Sequence, residues 1–119
     1  MAHPIVHIEL SAKDHKEAAA WYKDIFGWEI TEFPDMNYSF FAGPNESVGG
    51  GFNPVSDETP AGEVLVYIHT DNLAATINKI KEAGGTVVVE SFDIPTVGTM
   101  GVFKDPTGNL MALLQPAQS

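Results

Sequence analysis

The sequence contains no cysteine and no arginine. Without cysteine the chain has no disulfide bonds, no thiolate metal ligands and no cysteine nucleophile. No apolar run approaches the roughly 20 residues needed to cross a bilayer. The first residues, "MAHPIVHIEL", lack the basic segment followed by an apolar segment that is typical of a secretory signal. We therefore expect a cytoplasmic location.

Positive charge is also scarce. Six lysines face 16 acidic residues across 119 positions, which gives a net charge of −10. Such a field repels nucleic acids and anionic membranes, so the sequence argues against both as partners. The absence of arginine removes the usual bidentate clamp for carboxylates and phosphates, which disfavours a polyanionic ligand such as glutathione. A hydrophobic share of 44% indicates one globular domain, 1–119.

The second half of the chain repeats the first. Two helices are predicted, one from Asp14 to Gly27 and one from Asp71 to Gly84, and each interval is thirteen positions. One strand-like segment precedes each helix ("IVHIEL" and "EVLVYI") and three follow it. The sequence thus predicts an α+β fold of two tandem βαβββ modules. The apolar stripe of the first helix, which includes Trp21, is predicted to lie in the core.

The two modules are predicted to cover about residues 4–54 and 62–116. Their front portions align at an offset of 57 and their back portions at an offset of 62. One helix covers only one face of four strands, so the free faces of both modules are expected to form a shared concave cavity. Ligands usually bind in such cavities. Whether the modules pair within one chain or between two chains stays open.

The segment "IVHIEL" carries the first candidate site residues. Side chains alternate along a strand, so His7 and Glu9 point to the same face. An imidazole beside a carboxylate is typical of half a metal site or of an acid/base pair. It is equally typical of the solvated face of a half-buried strand.

Three motifs together resemble one superfamily. They are "AAWYKDIFGWEI" along the first helix, "GGG" on the fourth strand and "DPTGN" before the last strand. The chain is similar over nearly its whole length to the vicinal-oxygen-chelate superfamily, which includes glyoxalase I, extradiol dioxygenases and the bleomycin- and fosfomycin-resistance proteins. Within it, the sequence is most similar to a small glyoxalase-related branch. The resemblance implies the glyoxalase/bleomycin-resistance fold; we also expect a homodimer.

The resemblance also implies where a metal would bind. The superfamily's metal enzymes take ligands from the first, fourth, fifth and eighth strands. Carried over with the repeat offsets, these positions are His7, Gly50, Val64 and Ala112. Only the histidine can donate an electron pair, whereas a divalent ion needs about three or four donors. We therefore expect no metal and no other cofactor.

The resulting prediction is a metal-independent, glyoxalase-like protein that binds a small, partly apolar organic molecule. Glu9 is the candidate general base, and His7 is the candidate donor or proton relay. The remaining candidate binding residues line the cavity: Tyr38, Phe40, Gly50, Val64, Met100, Val102 and Ala112. The alternative is a metal-dependent lyase of the lactoylglutathione lyase (glyoxalase I) type. Between a binding protein and a metal-free enzyme the sequence does not decide.

Overall fold

A computed structural model of the protein describes residues 2–45, 47–57 and 59–117. The chain divides into two compact units. The N-terminal unit comprises residues 6–65, and the C-terminal unit comprises the rest of the chain.

The N-terminal unit has the order β-α-β-β-β, with a short 3-10 helix (Pro34–Met36) after its second strand. Its elements are β1 (Ile5–Ala12), α1 (His15–Phe26), β2 (Glu29–Phe33), β3 (Tyr38–Ala42) and β4 (Gly49–Pro54). Strand β1 lies parallel to β4, and the spatial order is β2-β3-β4-β1.

The C-terminal unit has the same arrangement. Its elements are β5 (Val64–His69), whose first two residues fall in the N-terminal unit, α2 (Leu73–Glu82), β6 (Thr86–Ile94), β7 (Gly98–Lys104) and β8 (Leu110–Pro116). Strand β5 lies parallel to β8, and the spatial order is β6-β7-β8-β5. The predicted α+β class and the tandem βαβββ repeat are therefore confirmed.

Helix α1 begins and ends where the sequence predicts. The Asp14 carboxylate accepts hydrogen bonds from the backbone N–H groups of Lys16 and Glu17, at 3.1 and 3.0 Å. Gly27 ends the helix with a φ of 74°, which glycine adopts without steric cost. Under this helix the core consists of Ala19, Phe41 and Phe52.

The aromatic stripe of α1 is only partly buried. Tyr22 packs against the core, but the side chains of Trp21 and Phe26 are both 56% exposed. The prediction that the whole stripe lies in the core is therefore wrong for these two residues and for Ile25, which is 58% exposed. Both rings instead contact Tyr22, at centroid distances of 5.0 and 5.8 Å.

Helix α2 begins one residue later than predicted. Its N-cap is Asn72, whose side chain accepts a hydrogen bond from Ala75 N–H at 3.0 Å. Leu73 and Ile77 pack from this helix against Leu113 of β8 and form the core of the C-terminal unit.

Neither described helix is long and apolar enough to span a bilayer. The cytoplasmic location and the homodimer stay predictions.

Candidate functional site

His7 and Glu9 face away from helix α1. Leu10 and Ala12 of the same strand pack against the core under that helix. Because side chains alternate along a strand, the two polar residues lie on the opposite face. Their side chains are only 19% and 16% exposed, so this face is shielded from bulk water.

Two neighbouring strands add to the same face. Glu9 lies opposite Gly51 on β4, and Gly51 lies opposite Phe40 on β3. Tyr38 lies two positions before Phe40 and shares its orientation. We refer to His7, Glu9, Tyr38, Phe40 and Gly51 together as the His7 face.

His7 is at the centre of this face. Its Nε2 atom is 2.7 Å from the Tyr38 hydroxyl oxygen, within hydrogen-bond distance, and 4.0 Å from Glu9 Oε2. The imidazole lies nearly parallel to the rings of Tyr38 and Phe40, at centroid distances of 6.4 and 6.1 Å. Burial lowers the pKa of His7 below its ordinary value, because a charged imidazole would lose hydration. Burial therefore favours the uncharged form of the ring.

Gly51 makes room for Tyr38. A Cβ atom at position 51 would collide with the phenol, with the hydroxyl oxygen nearest. The glycine motif therefore serves close packing of an aromatic side chain onto bare backbone, rather than the binding of a phosphate.

The structure shifts two predicted positions by one residue. Gly50 lies on the face that carries Phe41, because its Cβ would meet the Phe41 ring and the Ile8 carbonyl. Val64 shares the orientation of Ile68, which packs under helix α2, and it is 59% exposed. The offsets of 57 and 62 therefore do not hold on these strands. Gly51 and Leu65 take the places assigned to Gly50 and Val64.

The remaining predicted lining residues lie together in the C-terminal unit. Along β7, Met100 and Val102 alternate with residues that pack under α2, so they point away from that helix. Ala112 lies opposite Val102. Sequence reasoning missed their neighbour Tyr67, which lies opposite Ala112 and donates a hydrogen bond to the Met100 sulfur at 3.9 Å. A repeat offset of 58 pairs Tyr67 with Glu9, and this alignment would have identified Tyr67 from the sequence. The shared cavity stays a prediction.

The corrected ligand positions do not fit a metal ion. They are occupied by His7, Gly51, Leu65 and Ala112, which supply a single donor atom. That donor, His7 Nε2, is already within hydrogen-bond distance of Tyr38. Within the described residues there is no group of three or more histidine or carboxylate side chains that could hold an ion.

An open groove of about 460 Å³ lies elsewhere, in the C-terminal unit. Its one ionisable lining residue, Glu90, forms an ion pair with Lys81 at 2.7 Å. No imidazole or phenol reaches the groove, so we place the candidate site on the His7 face. The groove is lined by Leu73, Ala74, Ile77, Asn78, Glu90, Ser91, Thr99 and Gln115.

Comparison with known proteins agrees with this fold. Residues 4–113 match the family model of the glyoxalase/bleomycin resistance protein/dioxygenase superfamily. CFP32 of Mycobacterium bovis, named as a candidate glyoxylase, is 33% identical over an alignment of 103 positions that covers 84% of this chain and 39% of CFP32. The anthracycline biosynthesis protein DnrV of Streptomyces peucetius is 26% identical over an alignment of 121 positions that covers 88% of this chain and 44% of DnrV. The chain thus spans about two fifths of the length of these relatives.

Among solved structures, methylmalonyl-CoA epimerase from Mycobacterium tuberculosis is similar, with a TM-score of 0.74 and 18% sequence identity. The match covers 96% of this chain and 88% of the epimerase. At this identity the likeness shows the fold. Because residues 4–113 match the family model, the chain belongs to the glyoxalase/bleomycin resistance protein/dioxygenase superfamily.

Proposed function

We propose that this protein binds a small, partly apolar organic molecule on the His7 face without a metal ion. The observation that carries the proposal is the half-buried group of His7, Glu9 and Tyr38 beside the ring of Phe40. Such a group offers hydrogen bonds at one end and a flat apolar surface at the other. Small-molecule sites usually combine these two features.

The charge of the site selects its ligand. Glu9 contributes a carboxylate, and none of the six lysines lies on strands β1, β3 or β4. Carboxylates and phosphates usually need a nearby cation when they are bound out of bulk water. The ligand is therefore neutral or cationic, rather than a glutathione conjugate or another anion.

The relatives support small-molecule chemistry without naming the ligand. CFP32 carries a glyoxylase name, and DnrV is named for anthracycline biosynthesis. The methylmalonyl-CoA epimerase contributes a similar fold, and its anionic substrate does not suit the charge of the His7 face.

Ligand-observed NMR with two matched probes tests the proposal. 2-Hydroxyacetophenone is neutral, whereas mandelate has a similar size and the same phenyl ring with a carboxylate. We expect the first to bind and the second to bind at least tenfold more weakly. Phe40→Ala should weaken binding of the neutral probe, and Phe26→Ala, on an exposed phenylalanine of α1 on the other side of the sheet, is the matched control.

Elemental analysis of the purified protein tests metal independence, together with thermal melts with and without EDTA. Negligible metal and unchanged melts are expected, since only His7 among the ligand positions donates an electron pair. Near-stoichiometric metal with an EDTA-sensitive melt would instead favour the metal-dependent lyase. Equal binding of both probes, or binding that survives Phe40→Ala, would refute the assignment of the ligand to this face.

A further inference from the structure

The two units differ in what connects the start of the helix to the sheet. In the N-terminal unit His15, the first residue of α1, approaches Ser39 on β3, with 2.7 Å between His15 Nδ1 and Ser39 Oγ. The Ser39 hydroxyl in turn donates to the carboxylate of Glu32 on β2, at 2.8 Å to Oε1. Ser39 is fully buried. A chain of three polar side chains therefore joins this helix to two strands.

The corresponding positions of the C-terminal unit cannot form such a chain. Leu73 is the first residue of α2, as His15 is of α1. Gly101 corresponds to Ser39, because these two residues lie opposite the largest fully buried side chains of β4 and β8. A Cβ atom at position 101 would lie 3.3 Å from Leu73 Cδ1, so the two positions adjoin each other as His15 and Ser39 do. Leucine and glycine have no polar side-chain atom, so no side-chain hydrogen bond forms between them.

A groove of about 460 Å³ lies at this place in the C-terminal unit. Strand β6 contributes to it through a bulge, because the pairing of β6 with β7 shifts by one residue between Val89 and Phe92. Glu90 and Ser91 therefore both lie across from the single residue Gly101, and both line the groove. Pockets that hold small molecules have volumes of roughly 300–1,000 Å³. The groove is thus large enough for a ligand.

One wall of the groove presents a hydrogen-bond donor beside an acceptor. Thr99 on β7 and Gln115 on β8 lie directly opposite each other, and both line the groove. Gln115 Oε1 accepts the backbone N–H of Leu73 at 2.7 Å, so the NH₂ group of this amide is left as a donor. The Thr99 hydroxyl donates to Asp93 at 3.0 Å, so its oxygen is left as an acceptor. This pair is complementary to an amide group, whose carbonyl accepts and whose N–H donates.

The other lining residues determine the charge and shape of a suitable ligand. Leu73, Ala74 and Ile77 form an aliphatic stripe along α2. The carboxylate of Glu90 is balanced by the ammonium group of Lys81 at 2.7 Å. Among the described residues that line the groove there is no aromatic ring. A ligand that fits is therefore neutral, and its apolar part is aliphatic rather than a flat ring.

We propose that this groove binds a small neutral molecule in which an amide group is attached to a branched aliphatic chain. The amide carbonyl accepts a hydrogen bond from Gln115 Nε2, and the amide N–H donates to Thr99 Oγ1. The aliphatic chain packs on Leu73 and Ile77. The inference rests on the C-terminal unit alone and is independent of the ligand proposed for the His7 face.

Titration of the ¹⁵N-labelled protein with matched probes tests the inference, with binding followed by chemical shifts in two-dimensional NMR spectra. 4-Methylpentanamide is compared with methyl 4-methylpentanoate, which has no N–H, and with 4-methylpentanoate, which carries a negative charge. N-Acetylleucine N-methylamide is the fourth probe, because it presents a leucine residue as it occurs within a peptide segment.

Two variants with matched controls locate the bound probe. Ala74→Trp fills the groove from an exposed position of α2, and Ala75→Trp, at the next exposed position and outside the lining, is its control. Thr99→Val removes the acceptor and keeps the shape of the side chain. Thr86→Val, on an exposed threonine of β6, is its control. Thermal melts establish that each variant is folded.

We expect 4-methylpentanamide to shift the side-chain NH₂ resonances of Gln115 to saturation. The ester and the carboxylate should bind about tenfold more weakly, because both lack the N–H that donates to Thr99. Ala74→Trp should abolish binding. Thr99→Val should weaken binding of the amide by about tenfold and leave binding of the ester unchanged. The two control variants should behave as wild type.

Equal binding of the amide and the ester overturns the recognition of an amide. Binding that survives Ala74→Trp, or the absence of saturable shifts with 4-methylpentanamide, overturns the site itself. Tighter binding of N-acetylleucine N-methylamide than of 4-methylpentanamide overturns the assignment to a small molecule and favours a peptide segment.

Discussion

The phenol of Tyr38 lies directly over the backbone of Gly51, in the space that a side chain at position 51 would occupy. The same phenol approaches the imidazole of His7 to 2.7 Å. The bare glycine is thus a condition for the hydrogen bond at the centre of the site. The packing of Tyr38 against β4 therefore determines whether the side chains of β1 and β3 can form this hydrogen bond.

Gly51→Ala should displace the Tyr38 ring and weaken its hydrogen bond to His7. Overpacking of this kind typically costs about 1–3 kcal/mol in the free energy of unfolding, measurable by urea denaturation. If the phenol is the cause, the same substitution should cost much less in a Tyr38→Ala background. An equal cost in both backgrounds would show that the collision with Tyr38 is not responsible.

Burial of His7 predicts a pH-dependent stability. Its pKa is lowered in the folded protein, whereas the unfolded chain titrates near 6.5. Below that value the unfolded chain binds a proton more readily than the folded protein does, so the free energy of unfolding falls as pH decreases. Among the described strands of this unit, the titratable side chains on the same sheet face are Glu9, Tyr38 and, on the edge strand, Glu29. Urea denaturation at pH 8 and pH 5 should show a smaller pH effect in His7→Gln; parallel curves for both proteins would contradict this account.

Ser39 connects two elements on the helix side of the N-terminal unit. It is fully buried; its hydroxyl donates to the Glu32 carboxylate, at 2.8 and 2.9 Å to the two oxygens, and accepts from His15 Nδ1 at 2.7 Å. Ser39→Ala removes both bonds and leaves His15 shielded from water, which should cost about 1–3 kcal/mol in the free energy of unfolding.

The control for Ser39 is Ser47→Ala. The Ser47 hydroxyl donates to the Pro44 carbonyl in an exposed turn. Loss of this hydrogen bond should change the free energy of unfolding by less than about 0.5 kcal/mol. Equal effects of the two substitutions, compared by urea denaturation, would show that the buried connection does not stabilise the fold.

The turn before β8 should respond to acid. Hydrogen bonds from Asn109 and then Thr107 hold the pKa of Asp105 well below its ordinary value. Because the folded value is depressed, the stabilisation is present above the unfolded value of about 3.9 and is lost as pH falls below it. Asp105→Asn should therefore lower Tm relative to the wild type at pH 7. This difference in Tm should be smaller at pH 2.5. A difference independent of pH would refute the role of the carboxylate charge; Asp35→Asn is the exposed control.

Local chemistry made the elements predictable from sequence. Asp14 and Gly27 delimit α1 because a carboxylate cap and a left-handed glycine act on their immediate neighbours. For α2, Asp71 and Asn72 are both good N-cap residues, and the sequence pattern alone does not show which of two neighbouring residues is the N-cap. The repeat was equally readable, since hydrophobic alternation and turns recur at matched intervals.

The site was harder to predict, because strand faces reverse with a shift of one residue. The offset of 62 placed Gly50 in the site, although Gly51 has that orientation. The contact between His7 and Tyr38 joins positions 31 apart and requires space above a third residue. Sequence identified both residues as lining candidates, but no local rule pairs them.

The position of Tyr38 over Gly51 also constrains how this protein could evolve. A change of Gly51 to a metal-binding side chain would meet the phenol before it could meet a metal ion. A mutational path towards a metal centre must therefore lose the aromatic ring at position 38 first, and with it the hydrogen bond to His7. Positions 38 and 51 are therefore epistatic: because of their packing, the residue at position 38 must change before the residue at position 51. Ancestors or homologues that carry a ligand at the position of Gly51 should have a smaller residue at the position of Tyr38.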